Sequence, residues 1–218
     1  MENKDKKEKD LCDGAVTEDK IHFLSIIGQI EGHYLLPDGQ KVTKYEHVLP
    51  ALAEIEQRKD VDGLLLMINT VGGDVEAGLA ISEMISGMSK PTVSLVLGGG
   101  HSIGIPLAVA AKRSFIVPSA TMTLHPVRIN GLVIGVPQSF EGLNKMQDRI
   151  VSFIVRNSKV SEDTLRSLMM KTDEMATDIG TILDGCDAVN IGLIDKLGTL
   201  SDAVCALRSM ISGQGIDL

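Results

Sequence analysis

At 218 residues the chain is long enough for one α/β domain with a substantial core, and its 44% apolar share is ordinary for a globular protein. A net charge of -8 argues against a nucleic-acid-binding surface, and no apolar run reaches the length of a membrane span. Cys12, Cys186 and Cys205 have no metal-ligand spacing and fit a reducing compartment; with a polar, charged opening and no signal peptide, the expectation is a soluble cytoplasmic protein without metal or cofactor.

Residues 1–18 are rich in Lys, Glu and Asp without periodicity and predict a disordered tail; one domain is expected over 19–218. Ile21–Ile27 predicts a first strand, and Pro37-Asp38-Gly39 a turn. Tyr45–Arg58 has helical spacing at Val48, Leu52 and Ile55, with Pro50 opening or kinking the helix. Gly63–Ile68 predicts a buried strand, Asn69–Gly73 a loop, and Asp74 caps a helix to about Met88. Thr92–Leu97 is a further apolar strand, followed by glycines 98–100, His101, Ser102 and an apolar helix to Ala111. Alternating strands and helices imply a parallel sheet with right-handed crossovers.

Beyond Ala111 the pattern changes. Ser114–Val117 and Thr121–Leu124 predict short strands, and Asn130-Gly131 within Val127–Val136 is a hairpin signal. Gln138–Asn157 predicts a long amphipathic helix, and Ser161 caps another. Ile179–Leu183 predicts a strand, Asp184–Asn190 a short helix, Gly192–Leu197 a last strand and Ser201–Ile211 a terminal helix.

The chemistry centres on Ser102. A hydroxyl at the start of a helix lies where unpaired backbone N–H groups favour developing negative charge. Such a serine is either a nucleophile or simply an N-cap. Gly100-His101-Ser102-Ile103-Gly104 matches the G-x-S-x-G elbow, but no histidine lies beyond His125, so the order Ser-acid-His of that fold fails. His125, at the end of a predicted strand, is the candidate general base, against the alternative of a buried structural histidine. Backbone N–H groups of Gly72 and Ile103, on neighbouring strand ends, are candidates for an oxyanion hole.

Taken together, these segments resemble the proteolytic subunit of the Clp protease, the ClpP family of serine peptidases. Its INSPGG segment matches Ile68–Gly73, its GxxxSMG segment Gly98–Gly104 with Ile103 for Met, its MIHQP segment Thr123–Pro126, and its EAxxYGLVD segment Asp187–Asp195. The likeness covers about residues 20–200 and is greatest to the divergent TepA branch, the translocation-enhancing proteins. It implies an α/β ClpP/crotonase-like fold of repeated β-β-α units with a protruding handle (about 127–171). It implies a Ser-His-Asp triad cutting peptides or unfolded proteins inside a homo-oligomeric ring or stacked rings. Ser102 and His125 match the family's catalytic positions. Counting back from Gly192 puts Gly180 where the family has its aspartate, so the acid is assigned to Asp178, with Asp173 the alternative. The amino-terminal segment lacks the family's axial-loop residues, which leaves an ATP-driven unfoldase partner open. The alternatives are a ring scaffold or adaptor without a working triad, a crotonase-fold acyl-CoA enzyme, and a Ser-Lys peptidase using Lys112.

Overall fold

The computed structural model describes residues 20–129, 131, 134–173 and 179–213. The tail expectation for residues 1–18 and the candidate Asp178 lie outside the described residues. So do Asn130, Leu132 and Val133 of the expected hairpin, whose described remainder forms no strand.

Six strands run in the order β2 (Val42–Lys44), β1 (Ile21–Glu31), β3 (Gly63–Gly73), β4 (Thr92–Gly100), β5 (Arg113–Ile116) and β8 (Lys196–Leu197), all pairing parallel. β6 (Thr121–Leu124) leaves this sheet, touching β4 through Gly99↔Thr121 and pairing antiparallel with β7 (Thr181–Asp184). Helices α1 (Tyr45–Gln57), α2 (Val75–Ser86) and α3 (Gly104–Val109) follow β2, β3 and β4. The later helices are α4 (Pro137–Arg156), α5 (Glu162–Met169), α6 (Gly185–Asn190) and α7 (Leu200–Ile211).

Both faces of the sheet are covered over β3 to β5, which is why these strands read as continuous apolar runs, whereas β1 leaves Phe23 and Ile27 exposed. Leu64, Leu66, Ile68 and Val96 enter the main core with α1 to α3, while Leu65, Val93, Leu95 and Phe115 enter a second cluster under Ala203 and Leu207 of α7. Each such burial stabilises by about 1.5–3 kcal/mol before entropy is counted.

Several strands differ from their sequence-predicted bounds. β3 and β4 continue through Gly72-Gly73 and Gly98–Gly100, because β1 and β3 supply partners, Ile30↔Gly73 and Thr70↔Gly100. β7 starts at Thr181 rather than Ile179, and β8 is only Lys196–Leu197.

The expected handle helix divides in two. Ile150, Val151, Phe153 and Ile154 of α4 are buried in this chain's own core. Arg149 and Arg156 tie that half to Glu76 and Glu83 of α2. Its first half is open, with Phe140 exposed beside Ile134 and Val136.

Candidate active site

Ser102 occupies the turn between β4 and α3. It is the one non-glycine residue with positive φ among the described residues, at +56°. An L-residue there costs about 1–2 kcal/mol, so the neighbouring contacts must hold it. Two backbone bonds do so: His101 N–H donates to Thr70 O at 3.1 Å, and Ser102 N–H to Thr123 O at 2.9 Å. The N-cap of α3 is Ile103, with no side-chain capping bond, so the Ser102 hydroxyl does not serve as a cap. Among the described residues no hydrogen bond links Ser102 Oγ to the His125 ring.

Gly72 faces the serine. A Cβ on it would lie 2.7 Å from Ser102 Cβ and 3.3 Å from Oγ, and its φ is +91°, so only glycine fits without strain. The Ile103 N–H has no acceptor among the described residues. The Gly72 N–H instead donates to Thr70 Oγ1 at 3.1 Å, and the Thr70 hydroxyl donates to Gly28 O at 2.6 Å. One candidate oxyanion donor is thus open and the other is engaged within the loop.

His125 follows β6, two residues past the Thr123 carbonyl that holds Ser102. Its Nδ1 lies 2.7 Å from Pro126 O. A carbonyl only accepts, so Nδ1 carries the proton, and the neutral ring therefore has its lone pair on Nε2. That is the tautomer a general base for serine requires.

Gly180 is pressed against the same histidine. Its φ is +135°, and a Cβ would lie 2.2 Å from Leu124 O and 3.0 Å from His125 Cβ. No side chain fits at the position where the sequence count expected the acid. Gly180 N–H donates to Lys171 O at 2.7 Å. Asp173 is exposed.

Two contributors escape the sequence reading. Thr70 sits inside the Ile68–Gly73 segment, but its bond to Gly28, 42 positions away, leaves no sequence signal. His101, next to the serine in the chain, places Nδ1 2.8 Å from Thr123 Oγ1. Burial pushes its pKa below the ordinary histidine value, and the nearby His125 charge acts in the same direction.

The serine at the strand-to-helix turn, the Gly72 it faces and the strand that ends in His125 all fall in the segments by which the sequence resembles the Clp proteases. The family model described as Clp protease matches residues 20–200, and the chain belongs to that family. It is 56% identical over 197 residues to the translocation-enhancing protein TepA of Halalkalibacterium halodurans, covering 90% of this chain and 77% of that one. It is 27% identical over 140 residues to the ATP-dependent Clp protease proteolytic subunit 1 of Chlamydia muridarum, covering 62% of this chain and 69% of the relative. In three dimensions it is similar to a point mutant of ClpP1 from Listeria monocytogenes, with a TM-score of 0.65 at 21% identity, covering 84% and 94% of the two chains. The fold is therefore ClpP-like α/β, as the resemblance implies. No helix among the described residues is long and apolar enough to cross a membrane.

Proposed function

We propose that the chain is a serine endopeptidase of the Clp type, hydrolysing peptide bonds of peptides or unfolded proteins. The observation that supports this most is Ser102 itself. Backbone strain is kept there with a hydroxyl that caps nothing.

In this reading Ser102 Oγ attacks the scissile carbonyl carbon while its proton passes to His125 Nε2. The developing oxyanion accepts the Ile103 N–H, and the Gly72 N–H once it leaves Thr70 Oγ1. Collapse gives an acyl-serine, and His125 returns the proton to the departing amine; water then repeats the sequence to free the acid. Pro126 O fixes the histidine tautomer, and we assign the stabilising carboxylate to Asp178. Asp178 lies two residues before Gly180 in the sequence. The working unit is a homo-oligomer, with the exposed first half of α4 and Phe140 as the association face.

The engaged Gly72 N–H and the glycine at position 180 favour a second reading, a Clp-fold scaffold without activity. A fluorophosphonate probe with mapping of the modified peptide separates the two. The serine peptidase is labelled at Ser102, and Ser102→Ala loses both labelling and peptide turnover by at least about a thousandfold while remaining folded. A folded wild type that resists the probe and cuts no peptide is the scaffold.

A further inference from the structure

We propose that His101 is a positioning residue of the serine site: through Nδ1 and the Thr123 hydroxyl, its ring fastens the strand that ends in His125 to the turn that presents Ser102. This rests on the serine-peptidase reading above.

The need for such a tie follows from the topology. β3 and β4 pair from Leu64↔Thr92 to Thr70↔Gly100, whereas β6 meets β4 only at Gly99↔Thr121. The other neighbour of β6 is the short strand β7, which pairs with it antiparallel. The separation of nucleophile and base therefore depends on few bonds, and Thr123 supplies two of them. Its carbonyl accepts the Ser102 N–H at 2.9 Å, and its Oγ1 meets His101 Nδ1 at 2.8 Å. Successive residues of the turn are thus bound by the main chain and the side chain of one β6 residue.

The local backbone makes room for the ring. A Cβ at Gly99 would lie 2.5 Å from His101 Nε2, so the imidazole covers the glycine of the β4–β6 contact. Half-burial holds His101 towards its neutral form. A neutral ring suits the task, because a second cation would oppose the imidazolium that forms on His125 during attack. One bond of this kind has little weight in overall stability, but a shift of about 1 Å between reacting groups lowers a rate by about a hundredfold. Catalysis should therefore respond far more than folding does.

The test compares His101→Ala, Thr123→Val, their double variant and His101→Asn in the full chain. It measures kcat and KM on a fluorogenic peptide, the fluorophosphonate labelling rate at Ser102, and Tm. Each single variant is expected to lower kcat and the labelling rate about tenfold or more, with KM within about twofold and Tm lowered by under about 4 °C. The double variant should be no slower than the slower single one, since one interaction is removed only once. Asn, which keeps a polar group near the Nδ1 position, should restore most of the rate. Unchanged rates in folded Ala or Val variants overturn the proposal; so do losses that multiply in the double variant, or an Asn variant as slow as Ala. If His101→Ala unfolds, Thr123→Val and His101→Asn decide by the same criteria. A wild type that neither labels nor turns over removes the serine reading and this inference together. Labelling of the wild type with unaffected variants removes the inference alone.

Discussion

Two neighbouring strand-to-helix turns on parallel strands differ in what they do with their polar residue. At the end of β3, just before α2, the unusual backbone falls on glycines, Gly72 at φ +91° and Gly73 at +150°. The next residue, Asp74, is spent on the helix, its Oδ1 accepting the Ala77 N–H at 2.8 Å. Between β4 and α3 the left-handed conformation falls on Ser102, and the six-residue helix starts at Gly104 without a side-chain cap. The first turn follows the ordinary rules of local stability and the second breaks two of them. A chain that keeps an uncapped, strained serine beside a conventional turn points to chemistry at the serine.

The strongest perturbation of this comparison acts from the first turn on the second. Gly72→Ala places a methyl group 2.7 Å from Ser102 Cβ, on a backbone with φ of +91°. Labelling of Ser102 should fall by at least about a hundredfold, because both the nucleophile and the candidate oxyanion donor are displaced. Denaturant unfolding should show a loss of about 2–3 kcal/mol. A Gly72→Ala protein labelled at the wild-type rate would separate this loop from the site.

The candidate acid gives a smaller effect. In a triad whose carboxylate alone fixes the histidine tautomer, replacing it with an amide costs about ten-thousandfold. Here Pro126 O already holds the Nδ1 proton. Asp178→Asn should therefore lose only the stabilisation of the imidazolium, about ten- to a hundredfold in kcat. The matched Asp173→Asn, at an exposed position, should leave kcat within about twofold of wild type. A reversed order would assign the acid to Asp173, and two silent variants would leave a Ser-His dyad oriented by the main chain.

The order of elements was legible because apolar runs and capping residues are local signals. Ser102 and His125 stood out as candidates because each lies in a short segment whose spacing is itself distinctive. The strand character of Gly72-Gly73 and Gly98–Gly100 was not, since glycines read as turns until a neighbouring strand supplies their hydrogen bonds. Nor were the bonds between residues far apart in the chain, such as His101 to Thr123 at a separation of 22. The count back from Gly192 reaches Gly180, which lies beside His125 and has no room for a side chain. For α4 the amphipathic pattern predicted a single face, whereas Phe153 belongs to the core and Phe140 to the surface. Periodicity gives the side of a helix that seeks apolar contact, not whether the same chain supplies it along the whole length.

The smallest effects sharpen the contrast between the turns most cleanly, because they separate strain from chemistry. Ser102→Ala and Ser102→Gly both remove the hydroxyl, but only glycine relieves the left-handed backbone at φ +56°. In urea unfolding the glycine variant should exceed the alanine variant by about 1 kcal/mol. Equal stabilities would mean that the turn stores no strain at Ser102. At the other turn, Asp74→Ala removes the oxygen that accepts from Ala77 and should cost about 1 kcal/mol. Labelling of Ser102 should persist in that variant, since Asp74 caps α2 and contributes no group to the serine. If stability held while labelling was lost, Asp74 would belong to the site, and the two turns would no longer divide between structure and chemistry.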